Sequence, residues 1–182
     1  MKQLISGILG LCLSANVGAF ALTSSDIAEG QTMKDKFVFN SHGCKGQNMS
    51  PALSWTDAPQ GTKSFAVTVF DPDARDGKGW WHWVLINIPG KLSALPEGFG
   101  VMGIFNFKDN SHQLKTDFGT PGYGGPCPPV GDKPHHYIFT LYALKTEAAK
   151  VQDDLDPEGI DKLLKQQAIG EAKLTALYGR EE

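Results

Sequence analysis

The sequence has few cysteines, no run of basic residues and no apolar stretch as long as a membrane-spanning helix. The 17 lysines and arginines are scattered among 20 aspartates and glutamates, and the formal net charge is −3. Without a basic stripe, nucleic acid is not an expected partner. Repeats and low-complexity segments are also absent, which indicates one ordinary folded domain.

The first 21 residues have the layout of a secretory signal peptide. Lys2 gives a positive start, residues 5–13 are mostly apolar, and the A-x-A triplet at 19–21 is a cleavage site. The apolar part is shorter than the roughly 20 residues that a transmembrane helix needs. We therefore expect cleavage after Ala21, a single domain over residues 22–182, and a periplasmic or secreted location.

Of the three cysteines, Cys12 lies in the expected signal peptide, so the mature chain would keep Cys44 and Cys127. An oxidising compartment favours a disulfide between them. Two buried thiols or metal ligands are the alternatives, although neither cysteine has the CxxC or CxxH neighbourhood of a zinc site. The sequence favours the disulfide.

Short β-rich segments alternate with clusters of Gly, Pro, Asn and Asp along the mature chain. This pattern predicts a mainly β fold, an antiparallel β-sandwich. The predicted strands are residues 36–40, 64–71, 81–89 and 135–144.

One helix is predicted near the C-terminus, as an element that covers the core. Asp156 is a suitable N-cap, Pro157 suits the first helical position, and Gly170 would end the helix. Residues 173–179 are predicted to form a short last strand. One apolar stripe contains Ile160, Leu163, Leu164 and Ala168.

Polar side chains lie at one end of three predicted strands. Side chains two residues apart share a face of a strand. The three faces would be Phe65, Val67, Val69, Asp71 and Asp73; His82, Val84, Ile86 and Ile88; and His135, Tyr137, Phe139, Leu141 and Ala143. If the strands are neighbours, the polar ends converge on one rim, where β scaffolds commonly carry sites.

These segments resemble the phosphatidylethanolamine-binding protein family, in its bacterial Raf-kinase-inhibitor-like branch. The resemblance extends from about Leu22 to Tyr178 and implies a compact β-sandwich with short peripheral helices near the C-terminus and a small anion pocket at one end. The motifs are NMSPALSW at 48–55, FAVTVFDPDA at 65–74, HWVLINIP at 82–89 and DFGTPGYGGPCPPVGDKPHHYIFTLYAL at 117–144.

Matching by motif, the resemblance also implies a set of ligand-binding residues, a protein partner or a homodimer. Arg75 departs from the family motif, which usually has a second proline there. The C-terminal segment matches weakly, which leaves a pocket-closing role for Tyr178 open. The implied ligand-binding residues are Asp71, Asp73, His82, Gly125, Pro126, Pro128, His135 and Tyr137.

Two aspartates beside an anion repel it unless they are compensated. Either an aspartate orients an imidazole, or the ligand is a zwitterion such as phosphoethanolamine, whose ammonium meets the carboxylates. Gly-rich turns near Gly125 would aim backbone N–H groups at the phosphate, and Trp80 would lie at the mouth. We expect an exported binding protein with no catalytic residue, cofactor or metal.

Three other interpretations remain open. The first is an enzyme using the Asp/His cluster, although no Gly-x-Ser-x-Gly elbow is present and the DFG at 117–119 lacks the other kinase motifs. The second is a metal protein with His82, His135 and one Asp as ligands. The third is a protein-interaction module, inhibitor-like, with a vestigial pocket.

Overall fold

The computed structural model describes residues 18–104, 106–152 and 155–181. Residues 1–17 of the expected signal peptide lie outside this part of the chain. Strand β1 (Ala21–Thr23) begins at Ala21, which pairs with Thr56. The expected cleavage after Ala21 would therefore remove the first of the three residues of β1.

Two antiparallel sheets form the fold, as predicted. The smaller has the order β1-β2-β5, with β2 (Leu53–Thr56) and β5 (Ala94–Leu95). The larger has the order β6-β4-β3-β7-β8. Its strands are β3 (Ser64–Asp71), β4 (Trp80–Pro89), β6 (His112–Gln113), β7 (His135–Leu144) and β8 (Ala168–Tyr178).

Strand β3 is the centre of the molecule and is buried on both faces, because the small sheet covers one face and a helix the other. Ala66, on the second face, packs against Ile160 and Leu164 of helix α2 (Pro157–Gln167). Burying one such aliphatic side chain stabilises the fold by about 1.5–3 kcal/mol. The core on the first face includes Phe65, Val67 and Val69 of β3, Trp83 and Leu85 of β4, Phe139 and Leu141 of β7, and Leu53 and Trp55 of β2.

Helix α2 begins as predicted, because the Asp156 carboxylate accepts the Gly159 N–H at 2.8 Å and Pro157 follows it. Its end was predicted incorrectly. Ala168 is the first residue of β8, and Gly170 lies inside that strand. Ten-residue β7 offers backbone partners along its whole length, so the last strand is 11 residues long.

Among the described residues, no helix has the length and hydropathy to cross a membrane.

The predicted strand at 36–40 is wrong. Asp35–Phe37 is a turn of 3-10 helix, and the residues after it form no ladder. Their backbone groups bond to loops instead: Phe39 N–H donates to Pro126 O at 3.0 Å and Asn48 N–H donates to Val38 O at 2.9 Å. Three consecutive side chains, those of residues 37–39, are buried, whereas a half-buried strand would alternate.

Two register shifts in the β3–β4 pair change the predicted face of β4. Ile88 packs in the core with Trp83, whereas Val84 and Ile86 pack on the side of α2. The predicted common face of His82, Val84, Ile86 and Ile88 is therefore wrong at both ends, since one bulge places Ile88 in the core and the other turns His82 toward Tyr137. On β3 and β7 the predicted apolar faces are confirmed.

The outer edge of β8 is covered by residues 29–33. Gly30 N–H donates to Thr175 O at 2.8 Å, Leu177 N–H donates to Gln31 O at 2.9 Å, and Met33 N–H donates to Leu177 O at 2.8 Å. This segment thus satisfies backbone groups that an edge strand would otherwise expose.

Candidate functional site

A pocket of about 610 Å³ opens where β3, β4 and β7 carry their polar residues. Because β3 lies between the other two strands, the end of β3 is next to the beginnings of β4 and β7. The volume is in the range of small-molecule sites. Six of the eight predicted site residues line it, namely Asp71, Asp73, His82, Pro128, His135 and Tyr137.

Asp71 is the residue that joins the strands at this pocket. Its Oδ1 accepts the backbone N–H groups of Asp73 at 2.9 Å and Ala74 at 3.2 Å. Its Oδ2 accepts a hydrogen bond from His135 Nδ1 at 2.7 Å and lies 4.0 Å from His82 Nε2. The side chain is only 3% exposed. Both oxygens are bonded to protein donors, so this buried carboxylate positions the imidazole of His135.

His82 has a defined tautomer. Its Nδ1 lies 2.6 Å from Gly124 O, and since a carbonyl only accepts, Nδ1 carries the proton. Burial lowers the pKa of His82, against the opposing effects of the Gly124 carbonyl and the Asp71 charge. The ligand-free imidazole is therefore neutral at neutral pH, with a lone pair on Nε2. Its ring packs edge-on against Tyr137, with centroids 5.1 Å apart.

His135 and Tyr137 alternate with an exposed residue at the beginning of β7. The His135 ring lies between two carboxylates, because its Nε2 is 3.5 Å from Asp132 Oδ2 while its Nδ1 contacts Asp71. Burial and the nearby Asp71 charge raise the pKa of Tyr137 well above the ordinary value of a phenol. Its hydroxyl therefore keeps its proton and is a hydrogen-bond donor.

Asp73 does not share the face of Asp71, which corrects the parity prediction. The chain turns after Pro72 into the single turn α1 (Ala74–Gly77), with Asp73 at its N-cap. The Asp73 carboxylate accepts both the backbone N–H and the Nδ1–H of His136, each at 2.8 Å. Partial burial of the carboxylate acts to raise its pKa, but the hydrogen bonds from His136 outweigh it and lower the pKa of Asp73.

Contrary to the prediction, the Gly124 and Gly125 amides of the Gly-rich loop are bonded to protein acceptors and are not directed at the pocket. Gly124 N–H donates to His82 O at 2.8 Å, and Gly125 N–H donates to Asn48 Oδ1 at 2.7 Å. A Cβ on Gly125 would lie 2.1 Å from Phe37 O, so glycine is needed there for close packing. Gly125 and Pro126 are not among the residues that line the pocket.

Cys44 and Cys127 form the predicted disulfide, with an S–S distance of 2.04 Å and Cα atoms 5.9 Å apart. Cys127 lines the pocket beside Pro128. The bond fastens the loop that carries Cys44 to the Gly/Pro loop at the pocket rim. Arg180 Nη1 lies 3.1 Å from Cys44 Sγ on the other side.

The charged pair Arg75 and Asp117 at the pocket mouth was not predicted from the sequence. Arg75 Nε donates to Gly79 O at 2.9 Å, and its guanidinium carbon is 4.9 Å from the ring centroid of Trp80. Asp117 Oδ2 accepts the Trp81 N–H at 2.8 Å and lies 3.6 Å from Arg75 Nη2. The DFG aspartate thus orients an arginine 42 residues earlier in the chain (117 − 75), which no local pattern reveals.

Tyr178 is not among the pocket-lining residues; it lines a second, smaller cavity near Arg180, and burial raises the pKa of its hydroxyl. Trp80 lines the pocket mouth.

Within the described ranges, no group of three or more His, Cys, Asp and Glu side chains is placed to hold a metal ion.

Comparison with known proteins gives a consistent set of matches. The family model for phosphatidylethanolamine-binding protein matches residues 23–179. The UPF0098 protein YbcL of Escherichia coli K12 is 44% identical over 180 residues, which is 98% of each chain. The protein YbhB of the same organism is 42% identical over 157 residues, covering 86% of this chain and 98% of YbhB.

Two solved structures share the fold. The crystal structure of E. coli YbcL matches with a TM-score of 0.83 and 43% identity, over 89% of this chain and 99% of YbcL. The structure of CT736 from Chlamydia trachomatis matches with a TM-score of 0.72 and 30% identity, over 89% of this chain and 98% of that protein.

Proposed function

Because the chain belongs to the phosphatidylethanolamine-binding protein family, we propose that it is an exported protein that binds a small phosphorylated or zwitterionic ligand and releases it unchanged. The head group phosphoethanolamine is the model ligand. The observation that carries the proposal is the buried Asp71 carboxylate, which accepts a hydrogen bond from His135 and lies 4.0 Å from His82 Nε2 at one pocket.

The phosphate would occupy the inner end of the pocket, between His82, His135 and the Tyr137 hydroxyl. Ligand-free His82 has an acceptor at Nε2, so binding a phosphate dianion requires a proton on that nitrogen. The negative charge of the ligand favours the imidazolium, and binding would therefore take up a proton. The ammonium of the ligand would meet Asp132, whose side chain is 49% exposed at the outer side of His135.

The proposal contains no reaction step. Asp71, the most buried carboxylate of the pocket, accepts hydrogen bonds on both oxygens from protein donors. A carboxylate so engaged orients its neighbours and is poorly placed to act as a nucleophile or general base. Any effect on a protein partner would follow from ligand occupancy of this pocket.

Export is the second part of the proposal. It rests on the signal-peptide layout of residues 1–21 and on the disulfide, which persists in oxidising compartments. The mature protein would begin at Leu22 and consist of a single domain.

Calorimetric titration with phosphoethanolamine tests the binding proposal. The purified protein is expected to bind, and His82→Gln is expected to lose at least tenfold in affinity, since a hydrogen bond to a charged group contributes about 1.5–3 kcal/mol. His112→Gln is the matched control, because His112 lies in the same sheet outside the pocket. No binding by the intact, folded protein would reject the proposal, as would equal loss in both variants.

A further inference from the structure

Arg75 is the only lysine or arginine among the described residues that line the pocket. Five aspartates line the same pocket, at positions 71, 73, 76, 117 and 132. The backbone N–H groups of Gly124 and Gly125 donate to protein acceptors. A second anionic group on a ligand would therefore be repelled from most of the pocket and attracted only near Arg75.

The Arg75 side chain is anchored and still has donors to offer. A guanidinium has five N–H donors in a planar fork. Nε uses one of them on Gly79 O. The 3.6 Å between Nη2 and Asp117 Oδ2 is an ion-pair separation, longer than a hydrogen bond. The Trp80 ring fixes the plane of the group, and the side chain remains 51% exposed.

The backbone places this arginine in an unusual conformation. Arg75 has φ 52° and Asp76 has φ 56°, both in the left-handed region that most residues with a Cβ avoid. The turn brings the guanidinium back over Trp80 at the pocket mouth. Backbone strain of this kind concentrates at sites that bind ligands.

We propose that Arg75 sets the ligand class of the pocket, which binds a phosphorylated ligand carrying a carboxylate beside its ammonium group in preference to phosphoethanolamine. This inference rests on the proposed function. The phosphate would lie at the inner end with His82, the ammonium at Asp132 and the carboxylate at Arg75. A planar guanidinium recognises a carboxylate with two parallel hydrogen bonds. The ammonium group of a lysine cannot make this paired contact.

O-phosphoserine and phosphoethanolamine test this directly, because they differ by one carboxylate. By calorimetry, the intact protein is expected to bind O-phosphoserine about tenfold more tightly, as one charge-assisted contact allows. Arg75→Asn, which tolerates the left-handed backbone, is expected to lose that preference or reverse it, since the aspartates then repel the carboxylate unopposed. Its affinity for phosphoethanolamine should change by no more than about twofold.

Two further variants complete the test. Arg75→Lys keeps the charge without the planar fork and should retain part of the preference. Lys78→Asn removes the same charge from a nearby exposed position outside the pocket and should leave the preference intact. If Lys78→Asn abolishes the preference as Arg75→Asn does, the effect is general electrostatics and the proposal is wrong.

The remaining outcomes separate the two proposals. Equal binding of both ligands by the intact protein overturns the role of Arg75 and leaves the proposed function standing. Binding of neither ligand overturns both proposals.

The diesters glycerophosphoserine and glycerophosphoethanolamine form a second pair of ligands. A preference for the serine compound in both pairs supports recognition of a lipid head group. A preference in the monoester pair alone supports a soluble phosphorylated amino acid.

Discussion

A buried carboxylate with three protein donors is difficult to replace, and Asp71 is such a group. In Asp71→Asn, one side-chain oxygen becomes an NH₂, which must face either the backbone donors or His135 Nδ1–H. We expect the free energy of unfolding to fall by about 1–3 kcal/mol, because a buried donor is left unsatisfied. Urea denaturation measures the change.

The half-exposed Asp132 provides the control for this substitution. Asp132→Asn should reduce the free energy of unfolding by less than about 1 kcal/mol, since solvent screens its contact with His135. Similar losses in the two variants would contradict the positioning role of Asp71. Asp71→Asn should also weaken phosphoethanolamine binding, because His135 is no longer held.

The protonation of His82 gives a pH-dependent prediction. Burial lowers the pKa of His82 below the 6.5 of an unperturbed imidazole, so the unfolded chain takes up this proton first as the pH falls. Its contribution to stability is therefore complete above pH 6.5 and is lost as the pH falls toward the folded pKa. Adding inorganic phosphate should raise the pKa of His82, because the anion favours the imidazolium.

Nuclear magnetic resonance of the imidazole nitrogens checks both statements about His82. The ligand-free protein should show Nδ1 protonated and a titration midpoint below 6.5, and saturating phosphate should move that midpoint upward. A midpoint that phosphate leaves unchanged would show that the anion does not contact His82. Affinity for phosphate should also increase on mild acidification.

Among the secondary-structure elements, α2 stabilises the face of β3 that the pocket does not use. Leu164 is fully buried against Ala66 and Val84, so Leu164→Ala should lower the free energy of unfolding by about 2–5 kcal/mol. Phosphoethanolamine affinity should be unchanged in the folded variant. Lys162→Ala, on the exposed side of the same helix, should leave the free energy of unfolding nearly unchanged. Urea denaturation of the two variants distinguishes the burial of Leu164 from a general loss of helix stability.

The elements that could be predicted from the sequence are those whose local pattern agrees with their final environment. The segments 64–71 and 135–144 are strands with the predicted bounds, and Asp156 caps the helix as predicted. The length of β8 depends on β7, which pairs with it across the sheet. Residues 36–40 were predicted as a strand because Phe37, Val38 and Phe39 are aromatic or β-branched, although a loop can bury such residues equally well.

For the site, too, only the features that depend on local sequence patterns could be predicted. The sequence pattern placed Asp71, His82, His135 and Tyr137 at strand ends that meet at one rim. However, parity alone would have put His82 on the face of Val84, and a register shift at His82 turns it toward Tyr137. The contacts of Arg75 with Asp117, and of Gly125 with Asn48, join loops that are far apart in the chain. No period in the sequence encodes such contacts, and they decide which donors face the pocket.

For the molecule as a whole, the disulfide is the covalent connection between the two loops at the pocket rim. It joins residues 83 positions apart, and in the chain-entropy model a loop of that size corresponds to about 4–5 kcal/mol. The double variant Cys44→Ala and Cys127→Ala should therefore lose about 2–5 kcal/mol of unfolding free energy in urea. Reductant should destabilise the parent protein by a similar amount and leave the double variant unchanged. Equal denaturation midpoints for parent and variant would contradict this stabilising role.

The covered edge of β8 has a consequence for the behaviour of the protein at high concentration. Amyloid-like growth begins when a strand of one molecule adds to an unpaired strand of another. Residues 29–33 already use the outward backbone groups of Thr175 and Leu177, and the opposite end of the sheet is the two-residue strand β6. The large sheet therefore offers little template for intermolecular strand addition. A chain that lost this segment would expose the outward backbone groups of β8, the longest strand among the described residues, to such strand addition.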